Sequence, residues 1–451
     1  MDPVTQSGAP PTDSADPGPS ALAKASWRLL PLLGVAYGVA YMDRVNISFA
    51  AVRMNADLHF SATVYGLGGG LFFLAYALFE VPSNLVLARV GARRWLARIM
   101  LTWGLLAAGM MFVRTPTSFY VMRFLLGAAE AGFFPGAVYY LMSWFPARHR
   151  GRAISRFYVA FPLSNVVMGA VAGTLLGLQG RLGLAGWQWL FLMEGLPAVG
   201  LSVIFLFWLP DGPETAVWLS AAEKAWIARR LAAETTIAGV VGPTGAGVGG
   251  GLRAAILNPM VLAMGVVNLL YLGAGYAFSL SGPALLEDAT HLGIAKIGYL
   301  IALGGLMGGA AMIVGAWNAD RVGERHLHVA LPLAMEAAGY GMMAFWHSPV
   351  GMIAGYLTTA VAHAAAAAVF WLIPTDVLRG RNAAVGVAAV NAIGMIGSFL
   401  GPWAWGVAKD ATGGYQAGLA SLPMVYLLAA GVVLALRAAR PAPAALAAPA
   451  G

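Results

Sequence analysis

The sequence predicts an all-α membrane protein of twelve transmembrane helices in two six-helix, pseudo-symmetric halves. Three observations lead there. Hydrophobic residues make up 59% of the 451-residue chain and charged residues only 10%, whereas a soluble domain carries roughly 25% charged residues. The apolar residues gather in runs of bilayer length, since a hydrocarbon core of about 30 Å needs about 20 mostly apolar residues per helix. A long polar segment divides these runs six and six.

Taken in order, residues 1–27 are rich in Pro, Ser and Asp and lack a basic stretch followed by an apolar core. They read as a disordered tail and not as a cleaved signal. The first half, 28–209, holds apolar runs at 29–52, 62–88, 94–113, 118–142, 154–178 and 187–209. The polar segment 210–257 follows, and within it SAAEKAWIARRLAAE reads as a short amphipathic helix capped by Ser220. After it comes GVVGPTGAGVGGG, which lacks the lysine and hydroxyl of a phosphate-binding loop and reads as a flexible linker. The second half, 258–438, holds runs at 258–283, 293–316, 328–346, 350–374, 383–408 and 417–438, and 439–451 forms a second tail. The 58 glycines suit such a bundle because they let helix backbones approach closely.

The net charge of +8 is topology, not an affinity for nucleic acid. With the N-terminus placed in the cytoplasm, 20 of the 27 Lys and Arg residues fall on the cytoplasmic side, as the positive-inside rule requires. Both termini are then cytoplasmic and the lipid bilayer is the chain's main partner. The absence of cysteine excludes a disulfide framework.

A weak repeat relates the halves. NLVLARVGARR (84–94) ends the second run and AWNADRVGERH (316–326) ends the eighth, so both close on R-V-G-x-R, with Asp320 and Arg321 in the second copy. Paired halves joined by a cytoplasmic loop are the layout of rocking, alternating-access transporters.

Ionisable residues inside the runs mark the pathway, because each costs about 2.5–3.5 kcal/mol at a helix centre. In the fourth run Arg123 and Glu130 are seven residues apart, which is about 700° of rotation and ~10 Å of rise on one helix face. Gly127 shares that face. In the first run Asp43 and Arg44 are adjacent and so point about 100° apart, toward different partners. Two readings stand. The four groups form a fixed network locking two helices, or the arginines hold an anion while the carboxylates carry protons. Glu80, beside Arg89 and Arg93, reads as a gate or structural partner, with Asp320 and Arg321 the counterpart in the second half. Glu194 and Glu336 read as helix-end or interdomain hydrogen-bonding groups, and His363, alone among alanines, as a packed histidine. There is no H-E-x-x-H, no Cys/His metal cluster and no G-x-S-x-G, and nothing points to an enzyme.

The stretches YMDRVN, FEVPSNLVLARVGARRW, RFLLGAAEAGFFPG, SWFPARHRGRA, PDGPETAVWLSAAEKAWI and ADRVGERHLH together resemble the anion:cation symporter family of the major facilitator superfamily, over essentially all of 28–438. The family includes bacterial phthalate, tartrate, hydroxyphenylacetate and sugar-acid permeases, and the animal sialin and vesicular glutamate transporters. The resemblance implies proton-driven import of a small organic carboxylate across a bacterial inner membrane, by a monomer with no cofactor beyond the proton gradient. It implies that Asp43 and Glu130 carry protons, and that Arg44, Arg123, Tyr41, Tyr76 and Asn391 bind substrate. Sugar-acid members tend to have a polar amide on the fifth span where this chain has Phe161-Pro162, a departure that weighs against a heavily hydroxylated substrate and leaves aromatic or short dicarboxylic acids open. An organic-anion exchanger or an efflux transporter on the same fold is the alternative. A transporter-like sensor would need a cytoplasmic output domain, and the cytoplasmic segments are too short to form one.

Overall fold

The computed structural model describes residues 16–238, 258–373 and 381–439, and every regular element among them is a helix. The first helix, Pro17–Asp57, begins well before its apolar run. The Asp16 carboxylate accepts from the Gly18 N–H at 3.0 Å and Pro17 sits in the first turn, where its missing N–H costs nothing. The expected tail over 1–27 is therefore helical from Pro17 onward, and 1–15 lie outside the described residues.

The central helix, Ala221–Ala238, anchors this extension. The Ser220 hydroxyl accepts from the Glu223 N–H at 3.2 Å and the Glu223 carboxylate accepts from the Ser220 N–H at 2.8 Å. The motif S-A-A-E thus forms a reciprocal cap. The same carboxylate takes the Ser20 hydroxyl at 2.7 Å and the Lys24 ammonium at 2.8 Å. The expected linker GVVGPTGAGVGGG lies outside the described residues.

Twelve spans follow one another. The first half continues with Ala62–Val90, Ala92–Gly109, a fourth span in two pieces (Pro116–Glu130 and Phe133–Met142), a fifth in two pieces (Ala147–Tyr158 and Ala160–Leu176) and Gly186–Trp208. The second half comprises Pro259–Thr290, Ile294–Val322, Leu327–Phe345, Pro349–Phe370, Arg381–Thr412 and Gln416–Ala438. Among the described residues ten spans are long and apolar enough to cross a bilayer on composition alone. The first and ninth fall short because polar groups lower their mean hydropathy: Asp43, Arg44 and Asn46 in one, His328 and Glu336 in the other.

Each half has its own apolar core. The repeat in the sequence is a repeat in the fold, because the second and eighth spans, each 29 residues, end on Gly91 and Gly323 at φ 93° and 69°. Only glycine enters that region of backbone space readily.

The halves meet at the end of the bundle away from the basic loops. A Cβ on Gly70 would stand 2.4 Å from the Phe399 carbonyl oxygen, and one on Gly169 would stand 2.2 Å from that of Gly298, so the second span lies directly on the eleventh and the fifth on the eighth. Asp410 of the eleventh span accepts from the Ala62 and Thr63 N–H groups at 3.0 and 2.8 Å, satisfying helix-terminal donors across the interface. Contact continues down to Phe73 against Tyr276, ring centroids 4.1 Å apart. Beyond that point, toward the basic end, the halves part around a cavity.

Candidate functional site

The cavity has a volume of about 390 Å³, within the range of small-molecule sites. Its wall on the first half includes Tyr37, Tyr41, Arg44 and Phe161; its wall on the second half includes Tyr271, Glu336, His363 and Asn391. Of the residues expected to bind substrate, Tyr41, Arg44 and Asn391 reach it. Tyr41 is set edge-on against Phe161, with ring centroids 4.3 Å apart. The aromatic residue that departs from the sugar-acid pattern thus shapes the cavity wall.

Arg44 is the charged group of the first half on this wall. Its Nε donates to Oε1 of Glu130 at 2.6 Å, and Nη2 lies equally close to the same oxygen. The guanidinium rests over the Tyr76 ring, 4.7 Å from its centroid, so Tyr76 supports Arg44 from behind through a cation–π contact. The Arg44 side chain keeps 15% of its surface open, whereas Glu130 has none. Glu130 Oε2 has no hydrogen-bond partner among the described residues.

The local backbone explains where Glu130 sits. The fourth span stops at Glu130, turns through Gly132 at φ 89° and restarts at Phe133. A side chain on Gly132 would meet Ser83 of the second span at 2.3 Å, and one on Gly127 would meet the Phe72 carbonyl at 2.1 Å. The expected continuous helix over 118–142 is broken because two glycines press this segment against the second span. Arg123 and Glu130 still share a face within Pro116–Glu130.

Asp43 and Arg123 lie behind the wall, each only 1% exposed. Asp43 accepts from Trp103 Nε1 at 3.0 Å and from Asn46 Nδ2 at 3.1 Å. Trp103 had no signal in the sequence, since only the fold of the third span brings it there. Arg123 donates from Nε to the Gly68 carbonyl at 3.4 Å, lies 4.7 Å from the Phe72 centroid and leaves Nη1 without a partner. Asp43 and Arg123 are within electrostatic range of each other. The adjacent pair on the first helix therefore divides as its rotation requires, Arg44 toward Glu130 and Asp43 toward Trp103.

The groups expected to act as gates are not joined. Arg93 pairs with Asp211 at 3.0 Å, not with Glu80. Arg321 lies over Trp317, 5.4 Å from the ring centroid. Among the described residues no ion pair involves Glu80, Arg89, Asp320 or Arg321.

Three groups differ from their sequence reading. Glu194 lies buried in the interior of the sixth span, away from either helix end. Glu336, mid-way along the ninth span and fully buried, sits 2.8 Å from Nδ1 of His363. His363 is not a packed histidine, because its side chain is 38% exposed and lines the cavity.

Known proteins share this architecture. The family model of the Major Facilitator Superfamily matches residues 33–402. A putative tartrate transporter of Agrobacterium vitis is 40% identical over 94% of this chain and 92% of its own length. The putative metabolite transport protein NicT of Pseudomonas putida is 40% identical over 94% and 96%, and a quinolone resistance transporter of Acinetobacter baumannii 37% over 89% and 91%. Among solved structures, a bacterial homolog of the human lysosomal transporter Spinster, inward-facing and occupied, superposes with a TM-score of 0.74 at 16% identity, covering 96% of this chain and 100% of that one. The xylose transporter XylE of E. coli, partially occluded and inward-open, superposes at 0.67 with 15% identity, covering 93% and 98%. The chain belongs to the Major Facilitator Superfamily and is a multi-pass membrane transporter.

Proposed function

We propose that the protein is a proton-coupled symporter that imports a small organic carboxylate by alternating access across a bacterial inner membrane, with the basic end in the cytoplasm. The observation that carries this reading is the Arg44–Glu130 pair. Its cation stands at the cavity wall and its acid is sealed behind it. A helix lock has no need of a cation that lines a cavity, whereas an anion site does.

The chemistry follows from competition. A guanidinium suits a carboxylate bidentately, but Glu130 already occupies it. A proton on Glu130 neutralises that competitor and frees Arg44 for the substrate carboxylate. The loaded site then carries no excess charge, so the halves can close over it without burying an unpaired ion. Closure at the basic end and opening at the other is the rocking of two repeats about a shared site. Each net positive charge carried inward gains about 2.3 kcal/mol per 100 mV of membrane potential. The tartrate transporter among the relatives supports a carboxylate cargo; the wall of Tyr41, Phe161 and Tyr271 suits an aromatic or short diacid.

The quinolone resistance relative favours a second reading, export on the same fold. Proteoliposomes separate the two. Under an imposed inward proton gradient a symporter accumulates tartrate or phthalate and alkalinises the medium. Counterflow without alkalinisation identifies an exchanger, and extrusion identifies an exporter.

A further inference from the structure

We propose that Glu336 and His363 form a second proton-and-substrate site in the cavity, at which a protonated pair donates a hydrogen bond from His363 Nε2 to a second carboxylate on the substrate, remote from the carboxylate held by Arg44. The proposal rests on the carboxylate reading above and deepens it by naming the substrate class as dicarboxylates.

The geometry is a carboxyl–imidazole dyad built from two helices of the second half. Glu336 Oε1 lies 2.8 Å from His363 Nδ1, and Glu336 has no surface exposed. The imidazole is stacked on Tyr271, with ring centroids 4.4 Å apart and planes within 11°. Gly275 gives the ring room, since a Cβ there would stand 3.2 Å from His363 Cε1. The ring is thus fixed in position and orientation. Among the described residues its second nitrogen has no hydrogen-bond partner, while the ring lines the same cavity as Arg44. Around the pair stand Tyr271 of the seventh span, Tyr340 of the ninth, Tyr356 of the tenth and Tyr426 of the twelfth. Across the cavity, on the first half, stand Tyr41, Tyr158 and Arg44. No second cation among them neutralises Glu336.

The proton count on the dyad decides what Nε2 can do. If the carboxyl is protonated it donates to Nδ1, and Nε2 carries the hydrogen. If the imidazole is protonated both nitrogens carry one. Both net-neutral arrangements therefore present an N–H to the cavity. Removing the proton leaves Nδ1–H facing an ionised Glu336, so Nε2 becomes a lone-pair acceptor on a pair of net charge −1. Burying that unpaired charge is costly, and it repels a second carboxylate. Binding a diacid and binding the proton thus favour each other, as linkage requires. A proton taken up here would be additional to the one on Glu130.

The test measures binding of two matched pairs, tartrate with glycerate and phthalate with benzoate, by calorimetry on the purified full-length protein. Measurements are made at about pH 6.5 and about pH 8.5, at and well above the ordinary histidine value. In the wild type the preference for the diacid should fall roughly tenfold between the two, the scale of one hydrogen bond to a charged group. In His363→Gln, which removes the imidazole N–H, the preference should be weak at both pH values while monoacid binding stays within about twofold. Glu336→Gln, whose amide donates to Nδ1 and so keeps hydrogen on Nε2, should hold the preference at both values. A preference in the wild type that does not change with pH, or one that His363→Gln leaves intact, overturns the proposal alone. Failure of the wild type to bind any of the four anions overturns the carboxylate reading, and this proposal with it.

Discussion

The guanidinium of Arg44 and the carboxylate of Glu130 meet at 2.6 Å, across the first and fourth spans, with one partner at the cavity and the other sealed from it. If a proton on Glu130 is what frees Arg44, then Glu130→Gln mimics the freed state permanently. In proteoliposomes this variant should bind or exchange substrate but fail to accumulate it under an imposed pH gradient. Its affinity for a monocarboxylate should also lose the pH dependence of the wild type. Accumulation against a gradient by Glu130→Gln would remove Glu130 from the coupling scheme.

Arg44→Lys tests whether the cation acts by shape or by charge alone. Lysine keeps the charge but not the planar fork, and it stacks less well on Tyr76. Substrate affinity should weaken by roughly tenfold or more, the loss of one charge-assisted hydrogen bond. Tyr76→Leu, which removes the ring 4.7 Å beneath the guanidinium, should cost about 0.5–2 kcal/mol of binding. Equal affinities in Arg44→Lys and the wild type, measured by calorimetry, would mean that the guanidinium does not grip the anion.

How much of this was legible in the sequence depends on the range of the interaction. The spans were legible because lipid imposes a length, and R-V-G-x-R was legible because a helix needs glycine to turn at φ 93° or 69°. The separation of Asp43 from Arg44 followed from helical rotation. What stayed hidden were partners set by tertiary packing. Nothing near Asp43 in sequence announces Trp103, and Glu336 and His363 lie 27 residues apart on different helices. The break after Glu130 was hidden for another reason: Ala131-Gly132 is ordinary composition in a membrane helix, and only contact with Ser83 shows that the glycine must turn.

The contact between halves sets a prediction about conformation. Asp410 caps the second span from the eleventh, and Gly70 admits the Phe399 carbonyl. Asp410→Ala and Gly70→Leu should each open the end away from the basic loops without unfolding either core. The chain has no cysteine, so nitroxide labels at Thr117→Cys and His347→Cys report that end directly. Pulsed electron–electron distances should shift to longer values in both variants. A distribution matching the unsubstituted background would show that these contacts do not hold the end closed.

The docking of the N-terminal extension has its own pH signature. The Lys24 ammonium, the Ser220 N–H and the Ser20 hydroxyl all bind the Glu223 carboxylate and push its pKa down to about 2. A carboxylate with a depressed value contributes stability above its unfolded value, near 4.5, and loses it as pH falls through the folded value. Docking should therefore weaken progressively below about pH 4.5, toward pH 2, and be complete from neutral pH down to about pH 4.5. A nitroxide at Ala23→Cys, an exposed position on that helix, should be immobile across this range. Glu223→Gln removes the charge and should free the label already at neutral pH. Because Lys24 is 44% exposed, high salt should loosen the wild type partway toward the same state. The Trp226 ring lies directly against Gly18, and a label that remains immobile in Glu223→Gln at high salt would show that this packing holds the helix without the ion pair.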